Sequence, residues 1–229
     1  MTAPVSVIVP VLAASERLGA CLASLADGAF DGILAELILA DGGGTEALAE
    51  LADGVGARLV RAPKGRGTQL SAGAEAACGD WLLFVHADTV FAPGWPEAVR
   101  RHIVTAPGRA GYGHLAFDST DKLARMTERW ANLRSCLFAL PYGDQGLLIH
   151  RDLYSAVGGY PPIPLMEDVA LVGKLGRRRL CSLQITATTS AQRYEQRGWL
   201  AQGAHNLSTL TRYLLGAEPE RLAERYNRR

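Results

Sequence analysis

Apolar runs bounded by glycine and proline recur through the first ninety residues, with amphipathic stretches between them. Val5 to Val11, Leu34 to Ala40, Arg58 to Val60 and Trp81 to Val85 are the runs, each short enough for a buried strand. Between the first two, Leu18, Cys21, Leu22 and Leu25 fall on one face of a helix predicted over 15–26, with Gly28 as its stop. A short helix from Thr45 to Leu51 and another from Thr68 to Cys78 fill the next two gaps. Strands alternating with helices predict βαβ units and an α/β fold on a mostly parallel, twisted sheet flanked by helices.

After residue 95 the alternation weakens. The pattern predicts a helix to Thr105, a strand from Tyr112 to Phe117, a long helix from Asp121 to Phe138 and a strand from Gly146 to His150. Gly158 to Pro162 reads as a rigid turn, Glu167-Asp168 opens a short helix through Leu175, and residues 180–189 form a late strand. Helices follow over Glu195–Leu215 and Pro219–Tyr226. With no repeat and no linker, the 229 residues are expected to form a single domain. The C-terminal helices carry Trp199, Leu200, Leu207, Leu210, Tyr213, Leu214 and Leu215 near Arg197, Arg212, Arg228 and Arg229. That face either covers the domain's own core or meets a membrane surface or a second copy in a homodimer.

Composition narrows the classes further. Twenty-four basic against 23 acidic side chains leave a formal charge of +1, so no overall field favours nucleic acid as a partner. Cys21, Cys78, Cys136 and Cys181 have neither CxxC nor Cys/His metal spacing, which suits buried free thiols in a reducing compartment. The N-terminus has no basic n-region, and no apolar run approaches the roughly 20 residues of a membrane helix. The expected location is the cytoplasm, with peripheral membrane contact open.

Polar residues follow the strands at Val11, Ala40, Val60 and Val85, and in an open parallel sheet that edge is where ligands bind. Asp41 can accept from a nucleobase or ribose, or it can stabilise the turn of Gly42, Gly43 and Gly44. Lys64-Gly65-Arg66-Gly67, before a helix N-terminus, reads as a diphosphate cradle or as a solvated basic loop. His86-Ala87-Asp88 could hold a divalent metal against a diphosphate, or be a structural histidine capped by an aspartate. Glu167 and Asp168 are adjacent carboxylates after the apolar Pro164-Leu165-Met166. Burial and mutual repulsion should raise the pKa of at least one, which suits a general base, although acidic residues also complement a helix dipole.

These segments, in this order, resemble family 2 glycosyltransferases, in particular a small stand-alone bacterial subgroup, over nearly the whole chain. VSVIVPVLAASERL is similar to the family's first strand and nucleotide-binding turn, and LILADGGGTE to its second, with Asp41 in the uracil-binding position. KGRGTQLSAGAEAACGDWLLFVHADT is similar to the donor loop, helix and metal-motif strand. YGDQGLLIHRDLYSAVGGYPPIPLMEDVAL is similar to the acceptor-side segment. Three positions depart from the family: Ala13-Ala14 stand where Asn-Glu is usual, leaving Glu16 as the nearest acid. His86 occupies the first place of Asp-x-Asp, and Ser71 stands where Asn is usual.

The resemblance implies a single-domain GT-A fold, with 1–90 as the nucleotide-sugar donor half, 91–190 as the acceptor half and 191–229 as C-terminal helices. It implies an inverting transfer from a nucleoside-diphosphate sugar, UDP expected, to an unidentified acceptor hydroxyl, with Asp168 as catalytic base. Gln145, Tyr160 and Glu167 are then expected to position the acceptor. Pro10, Glu16, Asp41, Lys64, Arg66, Gln69, His86, Asp88 and Arg193 are expected to contact the nucleotide sugar, with Asp88 and His86 holding Mg²⁺ or Mn²⁺. Two other classes stand beside this one. A non-catalytic nucleotide-sugar-binding protein would have no use for Glu167-Asp168. A methyltransferase is suggested by Gly42, Gly43 and Gly44, though its glycine loop should follow the first strand rather than the second.

Overall fold

The computed structural model describes residues 4–227. In chain order it runs β1 (Val5–Val11), α1 (Glu16–Phe30), β2 (Leu34–Asp41), α2 (Glu46–Gly54), β3 (Arg58–Arg61), α3 (Arg66–Ala76), β4 (Trp81–Phe84), β5 (Val90–Phe91) and α4 (Trp95–Thr105). The second half continues β6 (Ala110–Phe117), α5 (Lys122–Phe138), β7 (Leu147–His150), α6 (Arg151–Ala156), α7 (Glu167–Leu175), β8 (Leu180–Thr189), α8 (Gln192–Arg197), α9 (Trp199–Leu214) and α10 (Pro219–Asn227).

One eight-stranded sheet has the order β3-β2-β1-β4-β7-β6-β8-β5. The predicted parallel pairing holds through β3-β2-β1-β4 and between β6 and β8. β7 enters antiparallel to β4 and β6, and β5 lies antiparallel to β8. The order reverses beside β1, so the crevice at the carboxyl ends of β1, β2 and β4 is the topological switch point where such sheets bind ligands.

Alternation along the strands builds two cores. Val5, Val7, Val9 and Val11 face α1, α2 and α4 with Leu18, Leu25, Leu48 and Trp95, while Ile8 points the other way with Leu82 and Phe84 toward α3, α6 and α7. Close approach explains one departure from the sequence reading. Gly28 lies inside α1 rather than ending it, and glycine stands there because a Cβ would collide with the indole of Trp95. α3 likewise starts two residues early, at Arg66, after Gly65 with φ of 148°. The expected helix over 195–215 is broken at Gly198, φ 83°, into α8 and α9.

The C-terminal face divides between the expected readings. Trp199 and Leu210 are buried in the domain, whereas Leu200, Leu207, Leu214 and Leu215 are exposed. Arg228 and Arg229 lie outside the described residues. All four cysteines are free, as expected, but Cys78 and Cys136 are exposed rather than buried. Among the described residues no helix is long and apolar enough to cross a membrane.

Candidate active site

β1 and β2 end side by side, and their last residues set the first wall. Asp41, 2% exposed, accepts from the amides of Gly43 and Gly44 through Oδ1 at 2.8 Å each. Its Oδ2 is buried and has no hydrogen-bond partner among the described residues. The turn reading of Asp41 therefore holds for one oxygen, and the other is left without a donor among the described residues. Pro10 is buried on β1 in register with Ala40 of β2. Gly43 is needed for a different reason from the one a methyltransferase loop would have. A Cβ there would collide with the Leu12 carbonyl, so the glycines let two strand-end turns touch.

Gln69 is not free to meet a nucleotide, which corrects the expectation for it. Its side-chain amide donates to the carbonyls of Val11 at 2.7 Å and Ala40 at 2.6 Å, and its Oε1 receives the Gly65 amide at 3.4 Å. A buried amide with its capacity spent this way braces β1, β2 and the donor loop. Glu16 is the exposed first residue of α1, capped by Ser15, and Lys64 is exposed in the loop before α3.

Arg66 turns inward instead. Its Nε lies 2.8 Å from Oε1 of Glu167, whose side chain is fully buried. Burial pushes this carboxyl up to about 7, against the pull of Arg66 and with a further push from Asp168. Gly67 in the same turn of α3 abuts the carbonyls of Pro161 and Ile163, leaving no room for a Cβ. α3 and the segment that leads into α7 are thus in direct contact.

α7 begins after Met166, a non-glycine residue at φ 67°. Such a conformation costs on the order of 1 kcal/mol or more and persists where packing enforces it. It turns the next two side chains into the site. Asp168 accepts from the Gly143 amide at 2.9 Å through Oδ2 and from the Val169 amide at 2.7 Å through Oδ1, so two main-chain donors fix its orientation. On the other side of Gly143 lies the ring of His86, close enough that a Cβ would strike Nε2. Gly143 therefore joins the turn after β4 to the start of α7.

His86 and Asp88 sit on the turn after β4, closed by the Thr89 amide on the His86 carbonyl at 3.0 Å. Burial, with Arg66 and Arg193 nearby, pushes the imidazole down to about 3, so the ring is neutral near pH 7 and keeps a lone pair. Arg193, exposed at the start of α8, stands over the Tyr226 ring at 5.9 Å. No group of three or more His, Cys, Asp or Glu that could hold a metal occurs among the described residues. A cation such as Mg²⁺ is commonly held by one or two carboxylates plus substrate phosphates, and Asp88, half-buried beside a neutral imidazole, fits a metal that arrives with a diphosphate rather than one caged beforehand.

Of the acceptor residues, Gln145 requires correction. It is fully buried, its Oε1 receives Ser135 Oγ at 2.7 Å and the Tyr142 amide at 3.2 Å, and its amide donates to the Gly113 carbonyl at 2.8 Å. These bonds tie α5 to β6 and use the side chain inside the protein. Tyr160 packs edge-on against Phe84 at 4.9 Å, and burial, with Asp168 and Glu167 in range, holds its phenol well above the usual tyrosine value.

The sequence reading passed over Asp144. Its Oδ1 is buried without a hydrogen-bond partner among the described residues, and burial pushes the carboxyl up to about 6, with Asp168 and Asp88 repelling it and Arg134 and Arg66 opposing the shift. Arg134 itself lies 3.5 Å over the Tyr142 ring. The signal available was a Gly-Asp-Gln set between two glycine-flanked turns, with no local period to mark it.

The pattern described as Glycosyl transferase family 2 matches residues 6–148. A PGL/p-HBAD biosynthesis glycosyltransferase of Mycobacterium tuberculosis is 30% identical over 173 residues, covering 70% of this chain and 64% of that protein. The chain thus spans less than two thirds of the length of the curated relatives it matches. Glucosyl-3-phosphoglycerate synthase from Mycobacterium tuberculosis, solved with Mn²⁺, UDP and glucosyl-3-phosphoglycerate, superposes with a TM-score of 0.56 at 20% identity, over 82% of this chain and 70% of that one. GalNAc-T7, solved with UDP, GalNAc and Mn²⁺, gives 0.61 at 15% identity, over 82% of this chain and 43% of that one. These likenesses establish the GT-A fold.

Proposed function

Because the chain belongs to glycosyl transferase family 2, we propose that it moves a sugar from a uridine-diphosphate donor to an acceptor hydroxyl with inversion at the anomeric carbon. The observation that carries this reading is Gly143, whose amide holds Asp168 while its bare Cα accommodates His86. One residue thereby brings the diphosphate side and a fixed carboxylate into one pocket. A binding protein without catalysis has no need of that carboxylate.

In the reaction, the acceptor oxygen attacks the anomeric carbon from the face opposite the diphosphate, Asp168 takes the hydroxyl proton, and the bond from carbon to the diphosphate oxygen breaks. Asp41 Oδ2 accepts from the imide of uracil, with Pro10 beneath the base. Arg66 and Arg193 offset the charge that develops on the leaving diphosphate. A divalent cation, Mg²⁺ or Mn²⁺, held by Asp88 with His86 beside it, would supply further neutralisation of that leaving group. Glu167 and Tyr160 line the acceptor side.

UDP-glucose, UDP-galactose and UDP-N-acetylglucosamine incubated with the protein should yield UDP, detected by mass spectrometry, with at least one donor turned over in Asp168-dependent fashion. No UDP from any donor, together with no stabilisation of the protein by UDP, would refute the assignment. At a ligand concentration of about 100 times Kd, stabilisation of roughly 2.7 kcal/mol is expected.

A further inference from the structure

α5 carries apolar side chains on two opposite faces. Ala124, Glu128, Ala131 and Ser135 are buried against the domain. Met126, Trp130, Leu133 and Leu137 repeat the same spacing two positions later and are 61%, 54%, 47% and 48% exposed. Two positions on an α-helix turn through about 200°, so the second set forms a stripe pointing straight away from the core. From residue 126 to 137 it is about 17 Å long. A helix that served only its own domain would be polar there.

The exposed charge along the stripe is predominantly positive, although the exposed Asp121 caps the N-terminus of α5. Lys122 and Arg129 are exposed along one edge. At its C-terminal end stand the exposed Arg177, Arg178 and Arg179, joined to the helix by Arg177 Nη1 donating to the Leu137 carbonyl at 2.8 Å. Between Lys122 and Phe138 the sole carboxylate is Glu128, buried and paired with Arg125 at 2.9 Å. A second copy packing stripe to stripe would bring these cations together with no carboxylate on the same face to meet them.

We propose that the outer face of α5, with Arg177, Arg178 and Arg179, is a docking surface for an anionic lipid bilayer. The apolar stripe enters the headgroup boundary, and the arginines and lysine meet the lipid phosphates. The inner side of the same helix reaches the pocket wall through the Ser135–Gln145 bond, so docking turns the acceptor half toward the membrane.

The test uses the full chain with vesicles of phosphatidylcholine alone or mixed with phosphatidylglycerol. Flotation is expected with the mixed vesicles only, and added salt should weaken it. Of the four tryptophans Trp81, Trp95 and Trp199 are buried, so a blue shift of emission on binding reports Trp130. The double variant Arg178→Gln, Arg179→Gln should bind about 25-fold more weakly, from about fivefold per basic residue near an anionic surface. Leu133→Glu should abolish flotation while leaving UDP-induced thermal stabilisation intact. Absence of flotation, equal binding to both vesicle types, or undiminished binding by Leu133→Glu would overturn the proposal. So would a concentration-dependent dimer in sedimentation that Leu133→Glu dissociates, which would assign the stripe to a second copy.

Discussion

Arg66 Nε stands 2.8 Å from Glu167 Oε1, tying the first turn of α3 to the first turn of α7. The cation assigned to the diphosphate is therefore held by the carboxylate assigned to the acceptor. Donor binding has to draw Arg66 away from Glu167 or share it. Arg66→Ala should weaken UDP binding about 10- to 100-fold, the size of a charge-assisted hydrogen bond. Glu167→Gln, which frees the guanidinium, should tighten it. Calorimetric titration with UDP checks both signs, and weakening in both variants would make the pair a purely structural tie.

The two carboxyls raised by burial give a pH dependence with a definite sign. Glu167 rises from 4.5 to about 7 and Asp144 from 3.8 to about 6. Where the folded pKa exceeds the unfolded one, the native state binds more protons between the two values, so stability falls as pH rises through that window and is flat above it. Asp144→Asn should raise Tm at about pH 8 and leave it nearly unchanged at about pH 3.5, with the difference opening across the window between. Thermal melts at stepped pH measure this. A variant that melts lower than wild type at the alkaline end would contradict the direction.

Asp41 offers a sharper test of the base pocket. Its Oδ1 serves the turn and its Oδ2 has no donor among the described residues. Asp41→Asn keeps an oxygen for the turn but presents an amide in place of the second acceptor. UDP affinity should fall about 10- to 100-fold, while a ribose phosphate lacking the base should be little affected. Equal loss for both ligands would indicate a collapsed turn and not a lost base contact.

How far the sequence could be read depended on whether the information was local. Strand alternation and helix period are local, and β1, α7 and β8 lie where the pattern predicts them. Gln69 and Gln145 were expected to meet ligands only because the resemblance placed them in the donor and acceptor segments. Their partners, the ends of β1 and β2 for one and α5 and β6 for the other, are neighbours only in the folded sheet. Gly28 shows the same limit: a glycine after an amphipathic run reads as a stop, and only the indole of Trp95, distant in the chain, explains why glycine stands there inside the helix. Asp144 was missed because nothing nearby in sequence marks it; its environment comes from Arg134 on α5 and the carboxylates of two other segments.

Metal use is tested without relying on turnover alone. The imidazole of His86 is held neutral, and a nitrogen donor suits manganese better than the harder magnesium ion. Mn²⁺ should be at least as effective as Mg²⁺. The paramagnetic resonance signal of free Mn²⁺ should drop on adding protein with UDP but not with protein alone, since no caged site exists among the described residues. Asp88→Asn should restore the free signal. Unchanged activity after exhaustive chelation would leave His86 and Asp88 as a structural turn.

The most decisive variant concerns Asp168, which main-chain amides of Gly143 and Val169 hold in place through both of its oxygens. Asparagine keeps the shape and one acceptor but cannot take the proton of an attacking hydroxyl. If the carboxylate is the general base, Asp168→Asn should lower turnover by roughly 10² to 10⁴-fold while UDP affinity stays close to wild type, with a modest drop in Tm because the new amide faces one of the two main-chain donors. A helix-opening residue would give a different signature, with weaker UDP binding and a loss of activity only in proportion to it. Glu167→Gln is the matched control, since this neighbouring carboxyl is buried and paired to Arg66, so turnover should fall less than in Asp168→Asn. Wild-type turnover in Asp168→Asn would move the base to another group, and Asp144, whose buried Oδ1 has no partner among the described residues and which Asp168 repels, would be the next residue to replace.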